Sequence, residues 1–524
     1  LFFSSLTYLT AVEELDLSFN QLGRLHSNEI GGFGSLKSLN VSHNAITYVD
    51  QSCFNTLVNL TSLDFSYNQL DDFHILTSTF MNNRKLNYLN LYNNSVTVIE
   101  MNAFRNAPLT YLNLEKNNVS GILSAKTFFA GFLRYLDLSN LKLNTIREEA
   151  FVDMPLLARL NLSHNEIQNI KPNNFIGLNN LFSLDLSYNQ LRNLSVNTIP
   201  RHLKSIYLNN NYLTSIPDII FSHSDIIFLD VSSNNIVSIS NTRFDKVQSL
   251  QTLHLSHNEI KEFNNRKTNS LKNLVDLELA SCQLRDINLS YFKKLENLNL
   301  SNNSFVSINN SLLNSLNVLQ SLDVSHNLIT DLFPGTFRVS QSLKLLNVSS
   351  NYLTNLRYGA LGGLTNVEVI DISKNNIANF EADVFHECTF LRKLYLDYNR
   401  LQYLDFDRLI TTVPTLELLS VGGTLIKCQE FVRTVKKYNK SSTVEITSLD
   451  KIYHEDNVHV SPKNAPLRKS ANLEVTQGSS EFLKMQKKIS ILKYSSVSDY
   501  FTEGSACTPS YVGLKSDNNF EGYY

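Results

Sequence analysis

The chain has 524 residues, of which 42% are hydrophobic and 18% charged, and its net charge is −2. That balance gives no electrostatic footprint for nucleic acid or an anionic membrane as the main partner. No apolar run approaches the roughly 18–20 residues needed to cross a bilayer.

Residues 1–11 already carry the pattern that dominates the chain. Leu1 is in phase with Leu25, Leu6 with Ile30 and Leu9 with Phe33. The chain therefore opens inside a repeating unit, which predicts an N-terminally truncated fragment with a signal peptide, alone or with further units, upstream. From Val12 to Thr424 the units follow without a linker. Leu181 to Asn189 shows one clearly: Leu181, Leu184 and Leu186, then Asn189 closing the turn. The middle alternates apolar and polar residues, the period of a short half-buried strand. One such unit cannot bury its apolar side alone and has to stack on copies of itself.

The closing Asn recurs at Asn20, Asn44, Asn68, Asn94, Asn117, Asn165, Asn189, Asn211, Asn234, Asn258, Asn303, Asn327, Asn351, Asn375 and Asn399. Leu141, Cys282 and Thr424 replace it in three further units, giving eighteen in all, most of them 24 residues apart. Three steps deviate by two residues or more: 26 residues from Asn68 to Asn94, 22 from Asn189 to Asn211 and 21 from Cys282 to Asn303. A Phe follows the Asn by about ten residues in many units, at Phe33, Phe54, Phe80, Phe104, Phe151, Phe175, Phe221, Phe244, Phe337 and Phe385. The period and the Asn-or-Cys slot are the signature of a leucine-rich repeat. The array resembles the typical extracellular class of these proteins, which includes Toll-type receptor ectodomains, insect surface proteins related to chaoptin and connectin, and secreted insect immune repeat proteins.

The predicted fold is an α/β repeat solenoid: a curved horseshoe with a parallel sheet on the concave face, a Phe column, and irregular or short helical turns on the convex side. Residues 1–424 make the array. Residues 425–449 are predicted to form a C-terminal cap, because Phe431, Val432, Val435 and Tyr438 mark one face of a helix that starts at Cys428. A Cys followed by such a helix resembles the flanking cap of extracellular repeat proteins, although this chain has no Trp and a single Cys there. That resemblance implies a Cys428–Cys507 disulfide; Cys507 is alternatively free or bridged to another chain. Residues 450–524 are polar, with Pro462 and Pro466, and are predicted to be mostly disordered. Phe482, Met485, Ile489 and Leu492 within them suggest a transient helix or docking segment.

Cys53 and Cys388 lie fourteen units apart, about 65 Å along a sheet of this spacing, beyond disulfide reach. Cys282 fills an Asn slot, so a structural role is expected. Acceptor motifs for N-glycosylation occur at Asn40, Asn59, Asn93, Asn118, Asn161, Asn193, Asn288, Asn299, Asn302, Asn309, Asn347 and Asn439. Asn40, Asn161, Asn299 and Asn347 fall between strand leucines, where sugars would obstruct the concave face.

The same strand position holds Asp16, Asp64, Asp137, Asp185, Asp230, Asp323 and Asp371 in other units. A row of carboxylates invites a metal or a basic partner, but a solvated polar face is the commoner meaning, and no dedicated metal or cofactor site is predicted. Tyr207, Asp230, His254 and Glu278 break the row. Neighbours there are about 4.8 Å apart, so Asp230, His254 and Glu278 are placed to share a proton or a cation. Arg392, Tyr395, Asp397 and Tyr398 form a second candidate surface with the aromatic and Arg character of a protein hot spot. His43, His164, His257 and His326 share one position, but the closest two are about 14 Å apart, too far for a common zinc. The chain has no HExxH, GxSxG or phosphate-binding loop, and Gly31, Gly32 and Gly34 fall in a convex turn.

The resemblance implies a non-enzymatic extracellular protein that binds a protein or a microbial or host surface ligand in innate immunity or receptor signalling. A cell-adhesion or matrix-organising protein is the alternative. A homodimer would favour adhesion, and a disulfide-linked heteromer through Cys507 would favour a secreted recognition complex.

Overall fold

The computed structural model describes residues 10–70, 73–119, 130–194, 199–200, 202–222, 225–239, 242–263, 268–308, 310–438 and 444–447. Leu1–Leu9, Asn309, Asn439, Cys507 and the expectations for 450–524 lie outside them.

Each unit contributes a three-residue strand, and these pair in parallel with their sequence neighbours into one sheet of nineteen strands. The register advances by one unit at every step, so Leu160 sits beside Leu136 on one side and Leu184 on the other. The middle residue of each strand points into the core and its two neighbours point to the sheet face, as the period of two requires. Leu39, Leu63, Leu89, Leu112, Leu136 and their successors as far as Leu419 are accordingly buried to 2% exposure or less. Behind them runs the Phe column. Phe54, Phe80 and Phe104 stack at 5.6 and 6.1 Å, and Phe151 on Phe175 at 6.0 Å. The opposite side of the solenoid holds turns and short helical pieces such as Asp218–Ser222, Phe244–Lys246 and Ala382–Phe385.

The closing asparagines form a ladder that answers for backbone groups the turns would otherwise bury unpaired. Asn327 is 3% exposed. Its Nδ2 donates to the Leu300, Val324 and Ser325 carbonyls, each at 3.0 Å, and its Oδ1 accepts from the Phe305 amide at 3.0 Å. The three replacements grade this function. Cys282 retains two of the contacts, its thiol donating to the Leu255 and Ala280 carbonyls at 3.3 and 3.5 Å. Thr424 retains one, to Val421 at 2.9 Å, and Leu141 has no polar atom with which to make any. Burial pushes the Cys282 thiol up to about 12 and Cys388 likewise. Cys53, Cys282 and Cys388 are buried and free.

In all eighteen units the residue before the ladder position has a positive φ. Seventeen of these carry side chains, from Phe19 and His43 to Lys374 and Tyr398, and only the last is glycine, Gly423. A Cβ there would meet the Tyr398 ring at 2.6 Å, so this glycine answers to close packing as well as to its backbone angle.

A helix does span Cys428–Tyr438. The pattern does not stop at Thr424, however. Glu445–Thr447 adds a nineteenth strand, pairing Ile446 with Leu419. Val444 and Ile446 are both 4% exposed, so the alternation Val-Glu-Ile-Thr closes the core where no further leucine motif is present.

Candidate functional site

The sheet face presents two rows of side chains, from the first and third positions of each strand. The third-position row is not merely a solvated polar surface. Each Asp accepts from the amide two residues on, as Asp64 does from Ser66 at 2.8 Å and Asp371 from Ser373 at 2.9 Å. The Asn members make the same bond, Asn161 with Ser163 at 3.0 Å. Neighbouring units are also tied laterally. Asn161, Asn299 and Asn347 donate through Nδ2 to Asp137, Glu278 and Asp323 at 2.9, 2.8 and 3.0 Å. These side chains set the turn that follows each strand.

That arrangement bears on the glycosylation acceptors. Asn347 is 6% exposed, and a sugar on its Nδ2 would require breaking the Asp323 bond. Asn161 and Asn299 are tied in the same way. Asn93, Asn118, Asn193, Asn288 and Asn302 are exposed, while Asn40 and Asn59 are partly buried.

The row changes character between Ser205–Tyr207 and Asn297–Asn299. His254 lies between two carboxylates, with Nδ1 at 3.7 Å from Asp230 and Nε2 at 3.8 Å from Asp276. Its side chain is only 20% exposed. Burial pulls the imidazole down, but the Asp230 and Asp276 carboxylates on either side prevail and raise it to about 10. Glu278 is held above the usual carboxylate range by burial, opposed by His254 and reinforced by Asp276 and Asp323. His254, Asp276 and Glu278 each offer a ligand atom within 4.8 Å of the others. Tyr207 joins through Phe228, whose ring lies 4.7 Å from it and 5.3 Å edge-on from His254. Tyr207, Asp230, His254 and Glu278 are thus brought into one patch.

Asp276 and Phe228 belong to the patch but come from the first-position row. The signal for Asp276 was available: Asp276 and Glu278 flank Leu277, so the strand period puts both on the sheet face. The same row holds a stack of Tyr88, Tyr111 and Tyr135, with centroids 4.5 and 4.6 Å apart and planes within 11° and 4°. The Tyr135 hydroxyl donates to Asp137 at 3.0 Å. Burial raises all three phenols above their ordinary range, helped by nearby carboxylates.

The second candidate surface does not hold together as one patch. Asp397 is fully buried, accepting from Ser420 Oγ and the Gly422 amide, each at 2.9 Å. It is a structural anchor and is withdrawn from the surface set. Tyr395 is partly buried on the sheet face, and the Tyr398 ring packs over Gly423. Arg392 is exposed and donates from Nε and Nη2 to Glu417 Oε1 at 2.8 and 2.6 Å. It lines a shallow depression of about 750 Å³ with Glu296, Gln320, Lys344 and Glu368, among others. Among the described residues no helix is long and apolar enough to cross a membrane.

These repeats, their asparagine ladder and the unbroken parallel sheet define a leucine-rich repeat solenoid. The Leucine rich repeat family model matches residues 34–75, 132–191, 228–284, 293–353 and 341–401, together just over half of the chain, and a second Leucine Rich Repeat model matches 202–223. The chain belongs to the leucine-rich repeat family. It is 31% identical over 147 residues to Tsukushi of Xenopus tropicalis, which covers 28% of this chain and 41% of that protein. It is 32% identical over 138 residues to fibromodulin of Oryctolagus cuniculus, covering 26% of this chain and 90% of that sequence. The chain thus spans about two fifths of the Tsukushi it matches. Among solved structures, the Drosophila Toll–Spatzle complex has a TM-score of 0.66 at 19% identity, covering 84% of this chain and 62% of that one. A Leptospira interrogans leucine-rich repeat protein has a TM-score of 0.56 at 23% identity, covering 84% and 97%. At these identities the structural likeness concerns the fold.

Proposed function

We propose that this chain is a non-enzymatic extracellular recognition protein that binds a protein or a microbial or host surface ligand through the solenoid, in innate immunity or receptor signalling. One observation carries the reading. Across units nine to twelve the third-position row exchanges its self-tied Asp or Asn for Tyr207, His254 and Glu278, with Asp230 alone keeping the tie, and Phe228 and Asp276 of the first-position row join them in one aromatic and charged patch. The solenoid is complete without such a patch, which is what a surface kept for a partner looks like. The Spatzle-bound Toll solenoid and the Tsukushi and fibromodulin matches support a binding role, and fold alone does not select the ligand.

The test is to express the chain through a secretory pathway and array it against extracellular proteins and microbial wall polysaccharides. Binding that is lost in Tyr207→Ala and Glu278→Gln, with thermal stability retained, supports the reading. Binding unaffected by both variants, or no binding to any extracellular class, overturns it. Glycopeptide mapping of the same material checks the compartment: sugars belong on the exposed Asn93, Asn118, Asn193 or Asn288. Native mass separates recognition from adhesion, since a homodimer would favour the latter.

A further inference from the structure

We propose that His254, Asp276 and Glu278 form a binding site for one divalent cation of the zinc type, with Asp230 orienting the imidazole. Cation binding is a property of the chain alone and does not depend on which partner the solenoid takes.

The site is built by strand register. Thr252–His254 and Asp276–Glu278 are adjacent parallel strands in which His254 stands level with Glu278. Asp276 is two residues before Glu278, on the same face. Three ligand-bearing side chains are therefore fixed to two strands of a continuous sheet, a more rigid mounting than a loop provides. Their ligand atoms already lie within 4.8 Å of one another. Zinc bonds of about 2.0–2.1 Å place tetrahedral ligands roughly 3.3 Å apart, so small side-chain rotations close the remaining gap.

The imidazole is aimed for this role. Its Nε2 faces Asp276 at 3.8 Å, while Nδ1 faces Asp230 at 3.7 Å. A ligating histidine characteristically gives its other ring nitrogen to a carboxylate, which fixes the ring and its tautomer; the imidazolium of the metal-free chain releases its Nε2 proton to solvent as the cation binds. Asp230 is itself held, its Oδ1 accepting from the Ser232 amide at 2.9 Å and hydroxyl at 2.6 Å. Asn299 occupies Glu278 Oε2 at 2.8 Å, leaving Oε1 for the cation. Charge points the same way. Three carboxylates share this half-buried patch with one imidazole, and a dication neutralises an excess that His254 alone cannot.

The donor set selects the metal. One imidazole nitrogen and two carboxylate oxygens suit Zn²⁺ or Mn²⁺, whereas Ca²⁺ needs six to eight oxygens and Mg²⁺ keeps an oxygen octahedron. With three protein ligands a coordination position remains on the sheet face, open to water or to an acidic side chain of a docking molecule. The other carboxylates of the row lack this arrangement, because no imidazole stands among them.

Chelator-treated full chain should be titrated calorimetrically with ZnCl₂, MnCl₂, CaCl₂ and MgCl₂. The expected result is one zinc per chain, weaker manganese binding, and no saturation by calcium or magnesium. His254→Gln and Asp276→Asn should each weaken zinc by at least about 10–100-fold, and Asp230→Asn by about tenfold. Asp230→Glu should recover part of that loss, which a merely structural role for Asp230 would not give. Asp185→Asn, elsewhere in the row, should leave zinc binding unchanged. X-ray absorption of the zinc-loaded chain should show one nitrogen and otherwise oxygen ligands. No saturable zinc binding, or zinc affinity unchanged from the parent chain in His254→Gln and Asp276→Asn, overturns the site. Should His254→Gln not fold, Asp276→Asn and the absorption spectrum decide it.

Discussion

Removing one rung of the asparagine ladder gives the sharpest test of what holds the solenoid together. In Asn327→Ala the Phe305 amide loses its acceptor, while three carbonyls each lose one of two donors. Leu300 keeps Asn303, Val324 keeps Asn351 and Ser325 keeps the Asn302 amide. The carbonyls therefore remain paired, and the cost concentrates on one buried N–H. An unsatisfied buried donor costs about 1–3 kcal/mol, and the small void left by the amide adds about 1 kcal/mol. The expected loss is about 2–4 kcal/mol. Asn327→Cys should cost nearly as much as Asn327→Ala, because the Cys282 thiol recovers only carbonyl contacts, and those carbonyls remain paired in either variant. Urea unfolding followed by circular dichroism measures the total, and hydrogen exchange at Phe305 locates it. A loss below about 0.5 kcal/mol for Asn327→Ala, the level of an ordinary surface change, would refute the view that the rung satisfies a buried amide.

Three other perturbations follow from the sheet face. Burial, with Asp397 and Asp323 nearby, raises Asp371 to about 6 against its Ser373 bonds, so its proton favours the folded chain and stability declines as pH rises from about 4 through 6. Asp371→Asn, the residue other units carry there, should stabilise by about 3 kcal/mol at pH 7.5 and by nothing at pH 3; an equal effect at both pH values would contradict this. For His254, raised to about 10, the metal-free folded chain also holds its proton more tightly than the unfolded one. Its contribution is fully present below pH 6.5 and lost as pH rises through about 10, which imidazole NMR shifts should follow; titration near 6.5 would be the contrary result. Tyr111→Ala should cost about 1–3 kcal/mol beyond lost burial, from two aromatic pairs, and phenolate absorbance should show fewer late-titrating tyrosines than in the parent chain.

The repeating part of the fold was legible because one structural requirement recurs with one spacing. Leu184, Phe175 and Asn189 each announce a position that must be apolar, bulky or doubly hydrogen-bonding, and stacking multiplies the signal. The nineteenth strand was not legible by that route, since Ile446 fills the core without a closing Asn. Its alternation with Val444 was the available clue. At the candidate site, the third-position row revealed Asp230, His254 and Glu278, while Asp276 and the Tyr88–Tyr111–Tyr135 stack required reading the other face-pointing position as well. Asp397 shows the opposite difficulty. Its carboxyl lies two residues beyond Tyr395, yet the chain has already turned inward there, and nothing in its side chain distinguishes an anchor from a contact.

The positive φ before every rung bears on how such a protein can change. An L-residue held left-handed costs about 1–2 kcal/mol whatever its side chain, somewhat less for Asn. Most exchanges among Phe, His, Tyr, Ser and Lys at these positions therefore leave the backbone cost nearly constant. The side chains stand in file along the sheet's C-terminal edge, as in the stack of Phe19 on His43 at 4.2 Å and His43 on Tyr67 at 4.1 Å. This rim is a strip whose chemistry can drift widely at almost constant stability, so divergence between related solenoids should concentrate there while the rungs beside it stay fixed.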